Sequence, residues 1–145
     1  MNKSATQTRP RTALRWPGNK TRLMKHILPK MRPHVCACEV FGGSLAWTLT
    51  KERSQLEVVN DINGDLVALY LNAQRHLPEL LRQLQDAFSS RELFNLFKAQ
   101  PGLTEIERAA RFLIRSRTSF AGNTKDFAVS KTRGGGAQIS REGLN

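Results

Sequence analysis

Apolar residues recur along the chain in blocks of changing period. After a polar stretch over 1–13 and a Pro17-Gly18 turn, Leu23, Ile27 and Leu28, with Met24 and Met31 nearby, stand at helical spacing. Pro29 and Pro33 are expected to end that helix. HVCACEVF (34–41) reads as a short, mostly apolar strand stopped by Gly42-Gly43. SLAWTLTK (44–51) follows as an expected helix with Ser44 at its start. LEVVN (56–60) predicts a second strand, DINGD interrupts it, and LVALYLNAQRH resumes as a helix. Pro78 at the head of ELLRQLQDAF and Ser90 before RELFNLFKA predict two more helices. The most regular amphipathic pattern is TEIERAARFLIRSRTSF, where Ile106, Ala109, Ala110, Leu113 and Ile114 share one face. Beyond Phe120 the periodicity stops in a Gly-rich, basic stretch.

Helix, strand, glycine turn, helix, strand, acidic loop, helix is the opening of an α/β parallel sheet with flanking helices. Only two strand candidates are present, so the expected fold is an incomplete doubly wound sheet. With 145 residues, 39% hydrophobic and 24% charged, the chain has the composition of one soluble globular domain. No run approaches the ~20 apolar residues of a membrane span, and the N-terminus lacks the apolar core of a signal peptide. A transit peptide would share its lack of acids; the cytoplasm is the expected compartment. Cys36 and Cys38 would face the same side of a strand, and with His26, His34 and His76 scattered, no four-ligand metal set is expected.

Charge divides the chain differently. The net +11 comes from nine bases and no acid over 1–38, six bases and ten acids over 39–107, and eight bases and two acids over 108–145. Two basic ends around a weakly acidic middle suggest a polyanionic partner, with the phosphate backbone of nucleic acid first.

The candidate chemistry lies at the turn after strand one. Gly42-Gly43 lets a ligand approach the backbone, and Asp61 closes strand two about twenty residues on, where a carboxylate can accept from ribose hydroxyls. FGGS is not the dinucleotide fingerprint, and GNKT lacks the earlier glycine of a phosphate loop, Ala13 standing in its place. The residues alone therefore indicate a nucleoside-containing cofactor.

Three stretches together are more specific. LRWPGNKTRL, EVFGGS and VVNDINGDLVALY, in that order and spacing, resemble the N-terminal half of the DNA adenine methylase (Dam-like) family. The resemblance covers residues 14 to about 72 well and 103–122 loosely. It implies S-adenosylmethionine as cofactor and methylation of adenine N6 in double-stranded DNA. Carried onto this chain, it implies that Trp16, Lys20 and Asp61 bind S-adenosylmethionine, and that Glu39, Phe41, Gly42 and Gly43 form the glycine-loop motif of the same site. An aromatic wall beside the cofactor and a cation for its carboxylate give Trp16 and Lys20 physical sense. Val40 stands where the family usually has Pro, and Asn19 where Gly is frequent; neither change removes a ligand.

The resemblance also implies an Asp-Pro-Pro-Tyr motif that accepts from the adenine amino group and stacks on the flipped base. Residues 1–145 contain no Asp-Pro pair and one tyrosine, Tyr70, which sits in an apolar helical run and reads as core. The expectation is a truncated methyltransferase: a leader over 1–13, a cofactor-binding part over 14–75, and a helical segment with a partial basic DNA target-recognition region over 76–145. There, RTSFAG and the glycines 134–136 suggest Arg117, Lys125, Lys131 and Arg133 as DNA contacts, with Arg141 nearby; the same stretch would also suit an unfolded tail. The competing readings are a non-catalytic basic nucleic-acid-binding protein, half of an enzyme completed by a second polypeptide, and, more distantly, a dehydrogenase.

Overall fold

The structure, a computed structural model, describes residues 12, 14–85 and 87–128. The expected cationic contacts Lys131 and Arg133, with Arg141 and the glycine run, lie outside the described residues, as does the 1–13 leader apart from Thr12.

The first helical segment is a 3-10 turn at Thr21–Leu23, one α-turn (α1, Met24–Ile27) and a second 3-10 turn at Leu28–Lys30. The α-helical part ends at Ile27, just ahead of Pro29 as expected, and a 3-10 turn carries the segment on to Lys30. The last turn closes through Met31 N–H donating to Leu28 O at 3.1 Å, and this bond does not use the missing Pro29 N–H. The chain then becomes extended at Met31.

Strands β1 (Cys36–Glu39) and β2 (Leu56–Val59) pair in parallel, Cys36 opposite Leu56 and Glu39 opposite Val59. Bonds from Asn60 N–H to Glu39 O (2.9 Å) and from Gly42 N–H to Asn60 O (2.8 Å) carry the pairing into the loops beyond. Ala37 is 3% exposed while Cys36 and Cys38 are both exposed, so the two thiols do share a face.

The expected helix over 44–51 is not formed. Leu45 adopts a left-handed φ of 53°, and the segment is a run of turns closed by bonds such as Leu49 N–H to Leu45 O and Lys51 N–H to Trp47 O. The cause is Glu39. Its carboxylate accepts from Thr48 N–H at 3.1 Å, the donor that a helix would direct to Ser44 O, and from the Thr48 hydroxyl. A strand-end carboxylate thus outcompetes the helical ladder.

Four helices follow: α2 (Gly64–Arg75), α3 (Leu77–Gln85), α4 (Arg91–Ala99) and α5 (Glu105–Arg117). Their starts obey the capping chemistry. Asn63 Oδ1 accepts from Asp65 N–H at 2.9 Å, Ser90 Oγ accepts from Leu93 N–H, and Thr104 and Glu107 form a reciprocal capping box. Backbone bonds from Leu103 and Thr104 hold the Glu107 carboxyl below the usual carboxylate range.

α5 is the spine of the core. Ala109, Ala110, Phe112, Leu113 and Ile114 pack with Leu66 and Leu69 of α2 and Leu80 and Leu84 of α3. Arg108 pairs with Asp65 at 2.8 Å across the α5–α2 contact. Leu14, 1% exposed, inserts into this cluster, so the core draws on both sides of residue 75. Ser116 Oγ donates to Arg15 O at 2.6 Å and fixes the N-terminal segment against the end of α5.

Leu113 is 1% exposed at the centre of this packing. Leu113→Ala is expected to lower the unfolding free energy by about 2–5 kcal/mol, read as a reduced urea midpoint with an unchanged slope.

Candidate functional site

The N-terminal segment, the β1 turn and the end of β2 meet at one cleft. Leu14 and the Ser116–Arg15 bond anchor the segment, and Trp16 follows directly, its ring 5.9 Å from that of Phe112. The other side of Trp16 lies on Gly43. A Cβ added to Gly43 would stand 2.9 Å from Trp16 Cδ1, and Gly43 has a φ of 49°. Close approach and left-handed backbone both require glycine here. Gly42 is enclosed as well, a Cβ there meeting Leu45 Cδ2 at 2.9 Å and Val59 Cγ1 at 3.2 Å.

Asp61 ties the two loops. Its Oδ2 accepts from Gly43 N–H at 2.8 Å and its Oδ1 from Asn63 N–H at 2.9 Å. Each carboxylate oxygen keeps a further lone pair, so Asp61 can brace the loop and still accept from a ligand. Tyr70, reaching from α2, donates its hydroxyl to Gly43 O at 2.8 Å. Burial first, and then the charges of Glu39 and Asp61, push the Tyr70 hydroxyl well above its usual range, so it remains a neutral donor. Lys20 Nζ folds onto Gly18 O at 2.8 Å and has two further donors to offer.

The resulting cleft encloses ≈ 670 Å³, within the range of about 300–1,000 Å³ common for small-molecule sites. Trp16, Lys20, Glu39, Phe41, Gly42, Gly43 and Asp61, the seven positions singled out in the sequence, all line it. Phe41 does so from the rim, at 88% exposure. Met24, Ile27, Cys38 and Trp47 also line it, although the sequence places them only in helix and strand patterns. Tyr70 reads as core from its helical run, and only the fold shows that its hydroxyl holds the glycine loop.

An aromatic wall, a cation, a doubly braced carboxylate and a backbone bare of side chain suit a ligand with a planar base, adjacent hydroxyls and an acidic end. The family model for D12 class N6 adenine-specific DNA methyltransferase matches residues 16–134. The chain belongs to this family. The match begins at Trp16 and takes in all seven of those cleft positions. No curated protein matches the chain.

Outside the cleft, Arg117 ends α5 half-buried, where burial and the nearby Arg15 lower its guanidinium pKa. Lys125 is exposed in the following turn, its carbonyl accepting from Lys98 Nζ at 3.0 Å. Neither lines the cleft. Among the described residues no helix is long and apolar enough to cross a membrane.

Tyr70→Phe removes one hydrogen bond without changing shape and is expected to cost about 1 kcal/mol in chemical denaturation. Gly43→Ala is expected to displace Trp16, seen as a changed tryptophan emission maximum with helical circular dichroism retained.

Proposed function

We propose that the cleft is a site for S-adenosylmethionine and that the chain derives from an enzyme that methylates adenine N6 in double-stranded DNA. The observation that carries this is the convergence of Trp16, Lys20, Gly43 and Asp61 on one cleft from three separated parts of the chain. In this reading Trp16 lies against the cofactor, Lys20 pairs with its methionine carboxylate, and Asp61 accepts from the ribose hydroxyls with the lone pairs its backbone bonds leave. Gly42, Gly43, Glu39 and Phe41 shape the loop beside it. The group supplies an activated methyl; the residues here bind and orient it.

The transfer itself needs an acceptor for the adenine amino hydrogens and an aromatic platform for the base. Residues 1–145 hold no Asp-Pro pair, and the hydroxyl of Tyr70 is committed to Gly43. We therefore assign cofactor binding, and not transfer, to this length of chain. A polypeptide carrying the missing motif would complete it. The basic residues Arg117, Lys125, Lys131 and Arg133 are proposed to meet phosphate in a partial DNA-recognition region. The net charge of +11 also favours the second reading, a basic nucleic-acid binder without catalysis.

Calorimetric titration with S-adenosylmethionine distinguishes the two. Saturable binding is expected, weakened roughly tenfold or more by Lys20→Met, which removes one charge-assisted contact, and further by Asp61→Ala. No N6-methyladenine is expected from residues 1–145 alone. Salt-sensitive DNA binding by a folded chain that takes up no cofactor would establish the basic binder instead.

A further inference from the structure

The segment that closes the cleft on its N-terminal side has a second face. Lys20, Leu23, Met24 and Ile27 recur in steps of three and four, and all line the cleft. Arg22, Lys25, His26 and Pro29 keep the same steps on the opposite face, and all four are exposed. Lys30 and Arg32 follow, exposed as well. The segment is tied at both ends. Asn19 Oδ1 accepts from Thr21 N–H at 2.8 Å, and the Trp47 indole N–H points to Met31 Sδ at 3.1 Å. The outer face is therefore carried on a fixed frame.

Its charges have no counterpart in the fold. The ion pairs of the described residues join Lys51 to Glu57, Arg82 to Glu79, Arg108 to Asp65 and Glu105, and Arg111 to Glu107. Among the described residues the side chains of Arg22, Lys25, Lys30 and Arg32 form neither an ion pair nor a hydrogen bond. No acidic residue precedes Glu39 in the chain. Neighbouring cations without a counter-charge repel one another, and a bound polyanion removes that repulsion. Arg22 and Lys25 stand three residues apart, a spacing that sets Cβ atoms about 5–6 Å from each other on a helix. Side chains of that length can reach successive phosphates of one strand, which lie about 3.4 Å apart along a duplex axis. A lipid surface fits less well. A helix lying in a membrane interface buries its apolar face there, whereas Leu23, Met24 and Ile27 turn theirs into the cleft. What remains outside is a face that meets its partner by charge alone.

We propose that the outer face of residues 22–32, carrying Arg22, Lys25, Lys30 and Arg32, docks on the phosphate backbone of double-stranded DNA, so that one segment walls the cleft inside and holds DNA outside. This surface lies on a different element from Arg117 and Lys125. It rests on the DNA partner of the reading above and not on cofactor use.

Anisotropy of a short labelled duplex, titrated over a series of salt concentrations, tests it. Arg22→Gln combined with Lys25→Gln is expected to weaken binding and to flatten the slope of log affinity against log salt by about two. Arg53→Gln combined with Arg75→Gln removes the same charge from exposed positions elsewhere and is expected to leave the slope unchanged. Circular dichroism checks that both variants fold. Equal slopes for the two variants would overturn the proposal and leave DNA binding by the chain standing; no binding by the unsubstituted chain would overturn both. Stronger binding to phosphatidylserine vesicles than to duplex at the same salt would also overturn it, in favour of a lipid surface. A footprint needs no substitution at all. Acylation of Lys25 and Lys30 in the unsubstituted chain is expected to fall severalfold when duplex is added, relative to exposed Lys98, and equal labelling of all three would refute the surface.

Discussion

Gly43 is the point on which the rest of the site depends. One residue gives its N–H to Asp61, receives the Tyr70 hydroxyl at its carbonyl, and lies beneath Trp16 where a Cβ would stand. These three attachments come from the end of β2, from α2 and from the N-terminal segment. None alone would fix a loop with positive φ, but together they over-determine it. The closeness of Trp16 is itself a consequence of the core. Leu14 is buried among α2, α3 and α5, and Ser116 holds the Arg15 carbonyl, so the segment that reaches Trp16 has little freedom left.

Two carboxylates divide the work around this loop. Asp61 braces it from the β2 side, and Glu39, at the end of β1, takes the Thr48 N–H and hydroxyl. The second contact costs the chain a helix but keeps the 44–51 segment in turns, and those turns present Trp47 to the cleft. Both charges also act on Tyr70, whose hydroxyl stays protonated and so can continue to donate. Lys20 stands in the same cleft, in a basic N-terminal stretch. The site therefore separates its charges, with acceptors for hydroxyls near the strand ends and a donor near the N-terminal turn.

Much of this was legible in the sequence because it follows local rules. Ser90 announces its helix by a side-chain oxygen at the N-cap, and the α5 face is written in Ile106, Ala109, Ala110, Leu113 and Ile114. Short strands ending in Gly42-Gly43 and in Asp61 gave the parallel pair and the two loops of the cleft. The failures were non-local. Thr48 donates to a residue nine positions earlier, so no helical propensity within 44–51 could reveal that its ladder is broken. Tyr70 and Gly43 lie twenty-seven residues apart, and an apolar helical run hides the hydroxyl that joins them. Pro29, by contrast, acts locally: the α-turn stops at Ile27 ahead of it, and only a 3-10 turn, which tolerates it, goes on.

The distribution of packing sets how the cleft must behave. On one side stands a helical cluster with buried Leu66, Leu80, Phe112 and Leu113; on the other, a two-stranded sheet with Leu56, Val58 and Val59 exposed and Ile62 fully so. Parallel strands gain most of their stability from covered faces, and here the pairing of β1 and β2 is extended by backbone bonds into the loops beyond. Those loops end in the Gly43 contacts. Met24, Ala37, Leu45 and Ala46 are the buried apolar residues on the sheet side, and a local opening there leaves the helical cluster intact. A ligand that touches Trp16, Lys20 and Asp61 at once joins the anchored segment to the thinly held strands. Such a ligand stabilises the closed arrangement in proportion to its differential affinity for it, and so completes structurally the sheet side that the chain's own packing holds least firmly.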